Sequence, residues 1–273
     1  MMYRIEKVLN HNTVIAIHQD DHKEVLIMGK GVGFGRKVAE RIEVRPEDRL
    51  YSLQKYKERG GAKEIVKSIA PEFLELTNAV LNEAEKVFGK IDRMVLFPLA
   101  DHIAFAVKRI QNHEQISNPL TEDIRVLFHM EFKVAESIRP LLKKQFQIDI
   151  EDDEIGYVAL HIHSAIEDEK VSQAMQMARS VRECISMVEE AIGKPIDIAS
   201  LSYNRLMNHI RYMVARALSG EKLKVNMNDY MSVRFPKSYA LATSVCDRLA
   251  ASTGLTFDEM EIGYLAMHIE RVY

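Results

Sequence analysis

Four histidines at one repeated spacing are the residues of this chain best suited to chemistry. "ADHIAFAVKR" contains His102, and "MNHIRYMVAR" further along the chain contains His209. The same interval separates His161 of "EIGYVALHIHSA" from His268 of "EIGYLAMHIERV". A neutral imidazole nitrogen can accept a proton, bind a metal ion or attack a phosphoryl group. A single histidine in a helical domain usually packs in the core or caps a helix, whereas four at a common spacing favour a chemical role.

A charged residue stands seven positions from each of these histidines. Seven residues make two helical turns, so each charged side chain shares a helix face with its histidine. Arginines follow the histidine in one pair of segments and glutamates precede it in the other: Arg109, Arg216, Glu154 and Glu261. Guanidinium groups bind phosphate oxygens in bidentate geometry, which favours histidines that accept a phosphoryl group. Both glutamates are expected near helix starts, where a carboxylate complements the helix dipole.

Metal binding is the competing interpretation of these histidines. "ADH" at 100–102 resembles, in reversed order, the His-Asp motif of helical metal-dependent phosphohydrolases, and "HIH" at 161–163 resembles a ligand pair. Residues i and i+2 of a helix point about 200° apart, so His161 and His163 are poorly placed to share one ion. Asp101 is replaced by Asn208 in the second copy. We therefore predict a protein that is not an enzyme, without cofactor, metal site or catalytic residues, in which His163 points away and stays unmodified.

The repeated spacing predicts a tandem duplication of helical domains. Apolar residues recur at three-to-four spacing along 72–88 and 171–192, and each of these stretches ends at Gly-Lys. We predict two homologous all-α bundles of about five helices at 64–170 and 171–273, in which the segments carrying His161 and His268 face those carrying His102 and His209. The charged, glycine-containing stretch 52–63 is the expected linker, and 166–170 joins the two bundles.

The N-terminal stretch 1–57 follows a different pattern. Segments rich in β-branched residues at 3–9, 13–19 and 24–29 are separated by turn-forming residues, and 41–45 offers a fourth strand. We predict a small antiparallel β-sheet domain at 1–57, so that the chain is multidomain. A sheet of this size has one apolar face that needs a cover, and homodimerisation is the simplest one.

A glycine-rich stretch, "GKGVGFG" at 29–35, stands out in this N-terminal β-sheet domain, which we call the head. It matches neither GxGxxG nor GxxxxGK[ST], which disfavours a nucleotide-binding loop and favours a turn between strands. Its neighbours are cations and an aromatic residue: Lys30, Phe34, Arg36 and Lys37. Cations that pair phosphates and rings on which bases stack are the parts required to bind folded RNA.

Composition indicates where the protein acts and which kinds of segment it lacks. The net charge is −3, and residues 1–56 hold ten Lys/Arg against eight Asp/Glu, while the remainder holds 27 against 32. Cys184 and Cys246 fit no metal spacing and indicate a reducing compartment. The N-terminus lacks an apolar signal core, and no run approaches the roughly 18 apolar residues of a membrane span. We therefore expect a cytoplasmic protein without membrane insertion.

The whole chain, from "KVLNHN" and "MGKGVGFG" through both "EIGY" stretches, resembles the bacterial transcriptional antiterminators controlled by the sugar phosphotransferase system. The resemblance implies a dimeric β-domain that binds an antiterminator hairpin in leader mRNA and thereby prevents a terminator from forming. It implies two helical domains that the phosphocarrier protein and the sugar permease of that system phosphorylate on histidines. A DNA-bound operon activator or a pure phosphocarrier could carry such histidine domains too, although residues 1–56 show no helix-turn-helix pattern.

Carried onto this sequence, the resemblance implies particular site residues. The implied phosphorylation sites are His102 and His161 in the first domain and His209 and His268 in the second. The implied RNA contacts are Lys7, Asn10, Asn12, Gly29, Lys30 and Phe34. Lys30 stands where family members can carry arginine, so a bidentate contact becomes a point charge there.

Overall fold

A computed structural model of the chain describes residues 2–19, 21–53, 61–167, 170–198 and 200–273. The chain divides into two compact units: Met1–Asn118 with Met130–Glu169, and Pro119–His129 with Lys170–Tyr273. Segment 119–129, which we predicted to belong to the first helical domain, is thus grouped with the second unit. Most of the expected linker, residues 54–60, lies outside the described residues, as do residues 168–169 of the expected junction. Among the helices described, none has the length and apolar character needed to cross a membrane.

The head is a five-stranded antiparallel sheet in the order β4-β1-β2-β3-β5. Its strands are β1 (Met2–Asn10), β2 (Thr13–His18), β3 (Glu24–Met28), β4 (Arg41–Glu43) and β5 (Arg49–Ser52). The four predicted strands and the predicted fold class are confirmed. The fifth strand goes beyond the prediction, because a short stretch with a single fully buried side chain, Tyr51, carries too little alternation to be recognised.

Each face of this sheet has its own cover. One face carries a buried apolar cluster of Tyr3, Ile5, Val14, Ala16, Ile27 and Ile42, against which Val32 of the glycine-rich stretch packs. On the other face, the strand register aligns Ile15, Leu26 and Tyr51 in one row. The Tyr51 ring meets the ring of Phe97 edge-on, with centroids 6.0 Å apart. The glycine-rich stretch therefore covers part of the face for which a second protomer was the expected cover, and homodimerisation remains a prediction.

Helices make up the rest of the described chain. They are α1 (Gly61–Ser68), α2 (Pro71–Phe88), α3 (Leu96–Gln111), α4 (Thr121–Leu127), α5 (His129–Ala135), α6 (Ile138–Phe146), α7 (Asp152–Glu167), α8 (Val171–Ile192), α9 (Leu201–Ser219), α10 (Asn228–Arg234), α11 (Pro236–Thr253) and α12 (Glu261–Glu270), with a 3-10 turn at Arg93–Val95. Helix α2 begins at a proline and is capped by Gly89, directly after its last residue, where a φ of 78° favours glycine over residues with a side chain. The repeat in the sequence identifies which helices correspond: α3 with α9 and α7 with α12.

In the first unit, a partly buried polar network ties strand β5 to helix α2. The hydroxyl of Tyr51 donates to Asn78 Oδ1 at 2.7 Å and accepts from Arg93 Nη2 at 2.8 Å. Glu85 of α2 binds both Arg93 and Arg49 of β5, at 3.2 and 2.7 Å. Burial raises the pKa of the Tyr51 hydroxyl, which therefore stays protonated and can keep donating. Hydrogen bonds and ion pairs therefore join the sheet to the first helical domain, in addition to apolar packing.

In the second unit, helix α4 packs on α8 and α9. The hydroxyl of Tyr203 donates to the carboxylate of Asp123 at 3.0 Å, and both side chains are buried. Arg211 Nη1 donates to the carbonyl of Leu127 at 3.1 Å. These bonds satisfy polar groups at both ends of a short helix that could not be stable by itself.

Candidate phosphoryl-acceptor sites and nucleic-acid interface

The four predicted histidines meet in two pairs, one in each helical domain. In the first unit, α3 carries His102 and α7 carries His161, and their ring centroids lie 5.4 Å apart. In the second unit, α9 carries His209 and α12 carries His268, with the centroids 4.6 Å apart and the rings stacked. The prediction that the segments of each pair face one another is confirmed. Whether the four imidazoles are phosphorylated stays a prediction.

A glutamate and an arginine complete each pair. Glu154 lies in the first turn of α7, and its carboxylate accepts a hydrogen bond from Arg109 on α3. His102 Nε2 lies 3.3 Å from the other carboxylate oxygen of Glu154, which is within ion-pair distance, although the contact lacks hydrogen-bond geometry. The glutamate is near a helix start, as predicted. Its partner, however, is the arginine of the neighbouring helix.

The second unit repeats this arrangement. Arg216 Nε and Nη2 donate to the two carboxylate oxygens of Glu261 at 2.6 and 2.8 Å, which is the bidentate geometry. His209 Nε2 lies 3.9 Å from Glu261 Oε2. The carboxylate of Glu261 is buried, and Arg216 and Glu261 line a cleft of about 220 Å³ between α9 and the start of α12. The duplicated sequence has therefore kept a complete His-His-Glu-Arg cluster in both copies.

Burial keeps three of these imidazoles, those of His161, His209 and His268, neutral at physiological pH. Desolvation, reinforced by the nearby His102, lowers the pKa of His161 to about 3. Desolvation, together with His268 and Arg216, lowers the pKa of His209 to about 3. The pKa of His268 is lowered as well, first by burial and then by two nearby arginines. Neutral imidazole is the form with a lone pair available for a nucleophilic step.

One buried nitrogen of each imidazole is left without a hydrogen bond. Within the described part of the chain, these atoms are Nε2 of His102 and His209 and Nδ1 of His161 and His268. Buried polar atoms are nearly always hydrogen-bonded, so the same exception at corresponding positions of both copies is a property of the repeated cluster. Each ring thus retains a nitrogen that can take a new partner.

Two tyrosines belong to these clusters and were missed in the sequence. The ring of Tyr157 lies 5.6 Å from that of His102, and the ring of Tyr264 lies 6.3 Å from that of His209. Both tyrosines stand in the repeated "EIGY" stretch, at the same interval from one another as the paired histidines. That repeat was the signal that could have identified them. The two tyrosines are uncharged and stand closer to His161 and His268 than the glutamates do. They are therefore not among the charged residues that lie seven positions from each histidine.

His163 occupies a different site from His161, as predicted. Its Nδ1 lies 3.0 Å from Glu131 Oε1 of α5. In the second copy, the corresponding residues are Ser238 and Glu270, and Ser238 Oγ donates to Glu270 Oε2 at 2.5 Å. The two positions contact each other in both copies, but the carboxylate stands at the first position in one copy, Glu131, and at the second position in the other, Glu270. Among the described residues, no group of three or more His, Cys, Asp or Glu side chains is arranged to hold a metal ion.

In the head, the glycine-rich stretch is packed too closely for side chains at two of its positions. A Cβ added at Gly29 would lie 1.8 Å from Asp48 Oδ1, and one added at Gly33 would lie 2.2 Å from the carbonyl oxygen of Asn10. The buried carboxylate of Asp48 accepts from Arg45 Nη2 at 2.7 Å, and the same guanidinium donates to the carbonyl of Lys30 at 2.8 Å. Arg45 and Asp48 therefore hold the backbone of this stretch in place.

Five of the six predicted RNA contacts lie in that stretch or directly beside it, whereas Lys7 lies on β1 opposite Ile15 of β2. Asn12 Oδ1 accepts from the Gly31 amide at 2.8 Å, and Asn10 Oδ1 accepts from the Asn12 amide at 2.9 Å, so both asparagines shape the surface. Lys7 on β1 and Lys30 are exposed. Phe34 is 69% exposed, so it is not a core residue of the head. Gly29, Lys30 and Asn12 also line a groove of about 240 Å³ whose opposite wall is Glu75 and Asn78 of α2.

Comparison with known proteins places these features in a family. The model of the PRD domain matches residues 75–165 and 182–272, and the model of the CAT RNA binding domain matches residues 3–60. One CAT RNA binding domain followed by two PRD domains defines the class of protein. The PRD matches alone span more than half of the chain, which therefore belongs to the PRD domain family.

Individual relatives match the chain nearly from end to end. The chain is 29% identical to the GlcA/glcB genes antiterminator of Staphylococcus carnosus, over 98% of this chain and 94% of the relative. It is 27% identical to Protein GlcT of Staphylococcus epidermidis, over 98% and 95% of the two chains. A solved structure described as the crystal structure of GlcT CAT-PRDI is similar with a TM-score of 0.53 and 30% identity, covering 61% of this chain and 99% of that one.

Proposed function

We propose that this protein is a transcriptional antiterminator that binds a hairpin in leader mRNA as a homodimer and is controlled by histidine phosphorylation from the sugar phosphotransferase system. The observation that carries the proposal is the duplicated His-His-Glu-Arg cluster that follows an RNA-binding head. The printed name of the Staphylococcus carnosus relative, an antiterminator, supports the same function. The partners are the hairpin, a phosphocarrier protein, a sugar permease and a second copy of this chain, all in the cytoplasm.

The phosphoryl step is a transfer from a phosphorylated donor protein to an imidazole nitrogen of this chain. The lone pair of a neutral imidazole nitrogen attacks the phosphorus of a phosphorylated donor protein, so that a new N–P bond forms as the donor's bond to phosphorus breaks. The four acceptors are His102, His161, His209 and His268. The lowered pKa of His161 and of His209 supports this role, because the attacking ring must be unprotonated.

The arginines explain how phosphorylation could change the contact between two helices. A phosphoryl group adds about −1.5 to −2 charges in the well-studied cases, and a phosphohistidine should be comparable. On His209 this charge would arise beside the buried carboxylate of Glu261, which already holds Arg216. Either the guanidinium transfers from Glu261 to the phosphoryl group, or the two acidic groups separate. Both outcomes alter the contact between α9 and α12, which is how the modification can change the assembly of the dimer.

Readthrough of a terminator tests the function. In a purified transcription system, the protein should increase readthrough only on templates that contain the leader hairpin and its terminator. A DNA-bound activator would stimulate transcription whether or not the terminator is present. A phosphatase activity that a chelator abolishes would instead favour the metal-dependent phosphohydrolase.

Phosphorylation is tested site by site. The full chain is incubated with the phosphoryl donors, and acid-labile phosphate is located by mass analysis in the wild type and in single His→Ala variants. We expect label on His102, His161, His209 and His268 and none on His163. Label confined to His163, or label that survives the loss of all four paired histidines, would contradict the assignment.

A further inference from the structure

His11 lies beside Phe34 at the edge of the proposed RNA surface. It occupies the turn between β1 and β2, and its side chain is exposed. Its ring centroid lies 5.2 Å from that of Phe34, with the two planes at 84°. Neither the repeat nor the resemblance singled out His11. The contact is therefore a property of the folded head that the sequence does not reveal.

Hydrogen bonds join the two backbone segments that carry these rings. The Gly33 amide donates to the His11 carbonyl at 2.9 Å, and the Gly29 amide donates to the Asn12 carbonyl at 2.9 Å. The Gly31 amide donates to the side chain of Asn12. The turn and the glycine-rich stretch are thus joined at three points. The backbones that carry His11 and Phe34 are therefore fixed relative to one another before any ligand binds, which lowers the cost of ordering this surface on binding.

The pair contributes little to the stability of the head. Phe34 is 69% exposed, and His11 is exposed as well, so the contact buries little apolar area. Exposed cations flank it at Lys30, Arg36 and Lys37. An exposed ring surrounded by cations is the arrangement that single-stranded or looped nucleotides recognise.

We propose that His11 is a further RNA-contacting residue that reads the base stacked on Phe34, an inference that rests on the proposed function of the head. Two perpendicular rings cannot both stack on one base. Phe34 has only π faces to offer, so it takes the stacking contact. His11 has ring nitrogens that can hydrogen-bond to a base edge or a ribose hydroxyl, and this polar contact makes it a specificity-determining residue.

Equilibrium binding of the full chain to an imperfect leader hairpin, at two salt concentrations, tests the proposal. His11→Ala should weaken binding roughly fivefold to twentyfold, the effect of one lost hydrogen bond at an interface. The salt dependence should stay that of the wild type, because no phosphate contact is lost. His11→Gln, which keeps a hydrogen-bonding side chain, should recover part of the affinity, whereas His11→Phe should not. His22→Asn, at an exposed histidine in the turn between β2 and β3, is the matched control and should bind like the wild type.

Each other outcome is decisive. Wild-type affinity in His11→Ala overturns the proposal, and so does full affinity in His11→Phe, which would assign His11 to stacking. A flatter salt dependence in His11→Ala would make His11 a phosphate contact and equally overturn it. If the wild type fails to bind the hairpin, the proposed function itself fails. If Phe34→Ala weakens binding while His11→Ala does not, only the present inference fails. Thermal unfolding of the His11 variants checks that the head remains folded.

Discussion

Arg216 binds Glu261 with two nitrogens of its guanidinium, although the two residues lie on different helices and 45 positions apart in the chain. Hydrogen bonding to Glu261 raises the pKa of Arg216 further, so the guanidinium stays charged at any physiological pH. Because Glu261 is buried, each partner depends on the other for its charge to be tolerated.

Loss of Glu261 should therefore destabilise the second helical domain. Removing one partner of a buried ion pair costs about 3–5 kcal/mol, because the remaining charge has no counter-ion. We expect Glu261→Leu to lower the midpoint of thermal unfolding clearly, and the double variant Arg216→Leu/Glu261→Leu to be less destabilised than the sum of the single variants. Glu259→Leu, at an exposed acidic residue just before α12, is the control. Additive effects in this cycle would show that the pair is not coupled.

Acidification should destabilise the protein through its buried histidines. The pKa of His161 and of His209 is lowered to about 3 in the folded state, against about 6.5 for an unfolded chain. The stabilisation that these neutral rings permit is thus present above pH 6.5 and is lost as the pH falls towards 3, because the unfolded state binds the extra protons. Each such histidine contributes a slope of up to about 1.4 kcal/mol per pH unit in that window.

This slope can be measured by comparing variants. Urea unfolding at pH 7 and pH 5 should show a smaller loss of stability in His161→Gln and His209→Gln than in the wild type, and the smallest loss in the double variant. The carboxylates, which are common to all of these proteins, cancel in the comparison. Identical losses in all four proteins would refute the neutral, buried state of these rings.

Gly29 should be intolerant of any side chain. A Cβ at this position would displace Asp48, release Arg45 and thereby free the backbone of Lys30. We expect Gly29→Ala to abolish hairpin binding and to lower the unfolding midpoint of the head. Gly35→Asn is the matched control, since a Cβ at Gly35 meets nothing within 4 Å and asparagine accepts its φ of +68°. Normal binding by Gly29→Ala would show that the fixed backbone is dispensable.

Phe34 and Lys30 should differ in how their loss depends on salt. Phe34→Ala should lose roughly 1–3 kcal/mol of stacking at any salt concentration, with the head still folded. Lys30→Ala should mainly reduce the slope of affinity against salt, because it removes a phosphate contact. Hairpin titrations at several salt concentrations separate the two effects. Equal salt slopes in Lys30→Ala and the wild type would exclude a phosphate contact by Lys30.

The sequence was sufficient wherever a feature repeats along the chain. The common interval between the two copies identified both histidine pairs and the corresponding helices, and strand alternation identified four strands. It was insufficient where a feature depends on packing between distant segments. The bonds of Arg109 to Glu154 and of Arg93 to Tyr51 span 45 and 42 positions, and no periodicity encodes them. The contact of His11 with Phe34 was hidden for the same reason, since only the folded turn brings these rings together.

The exchanged polar pairs limit how freely the two copies could recombine. Glu131 faces His163 in the first copy, whereas Ser238 faces Glu270 in the second. Transplanting α12 into the position of α7 would set two carboxylates against each other, and the reverse graft would leave a serine opposite an imidazole. Each of these two helices therefore matches the polar partner of its own copy, and a change at either position would have to be matched by a change at its partner.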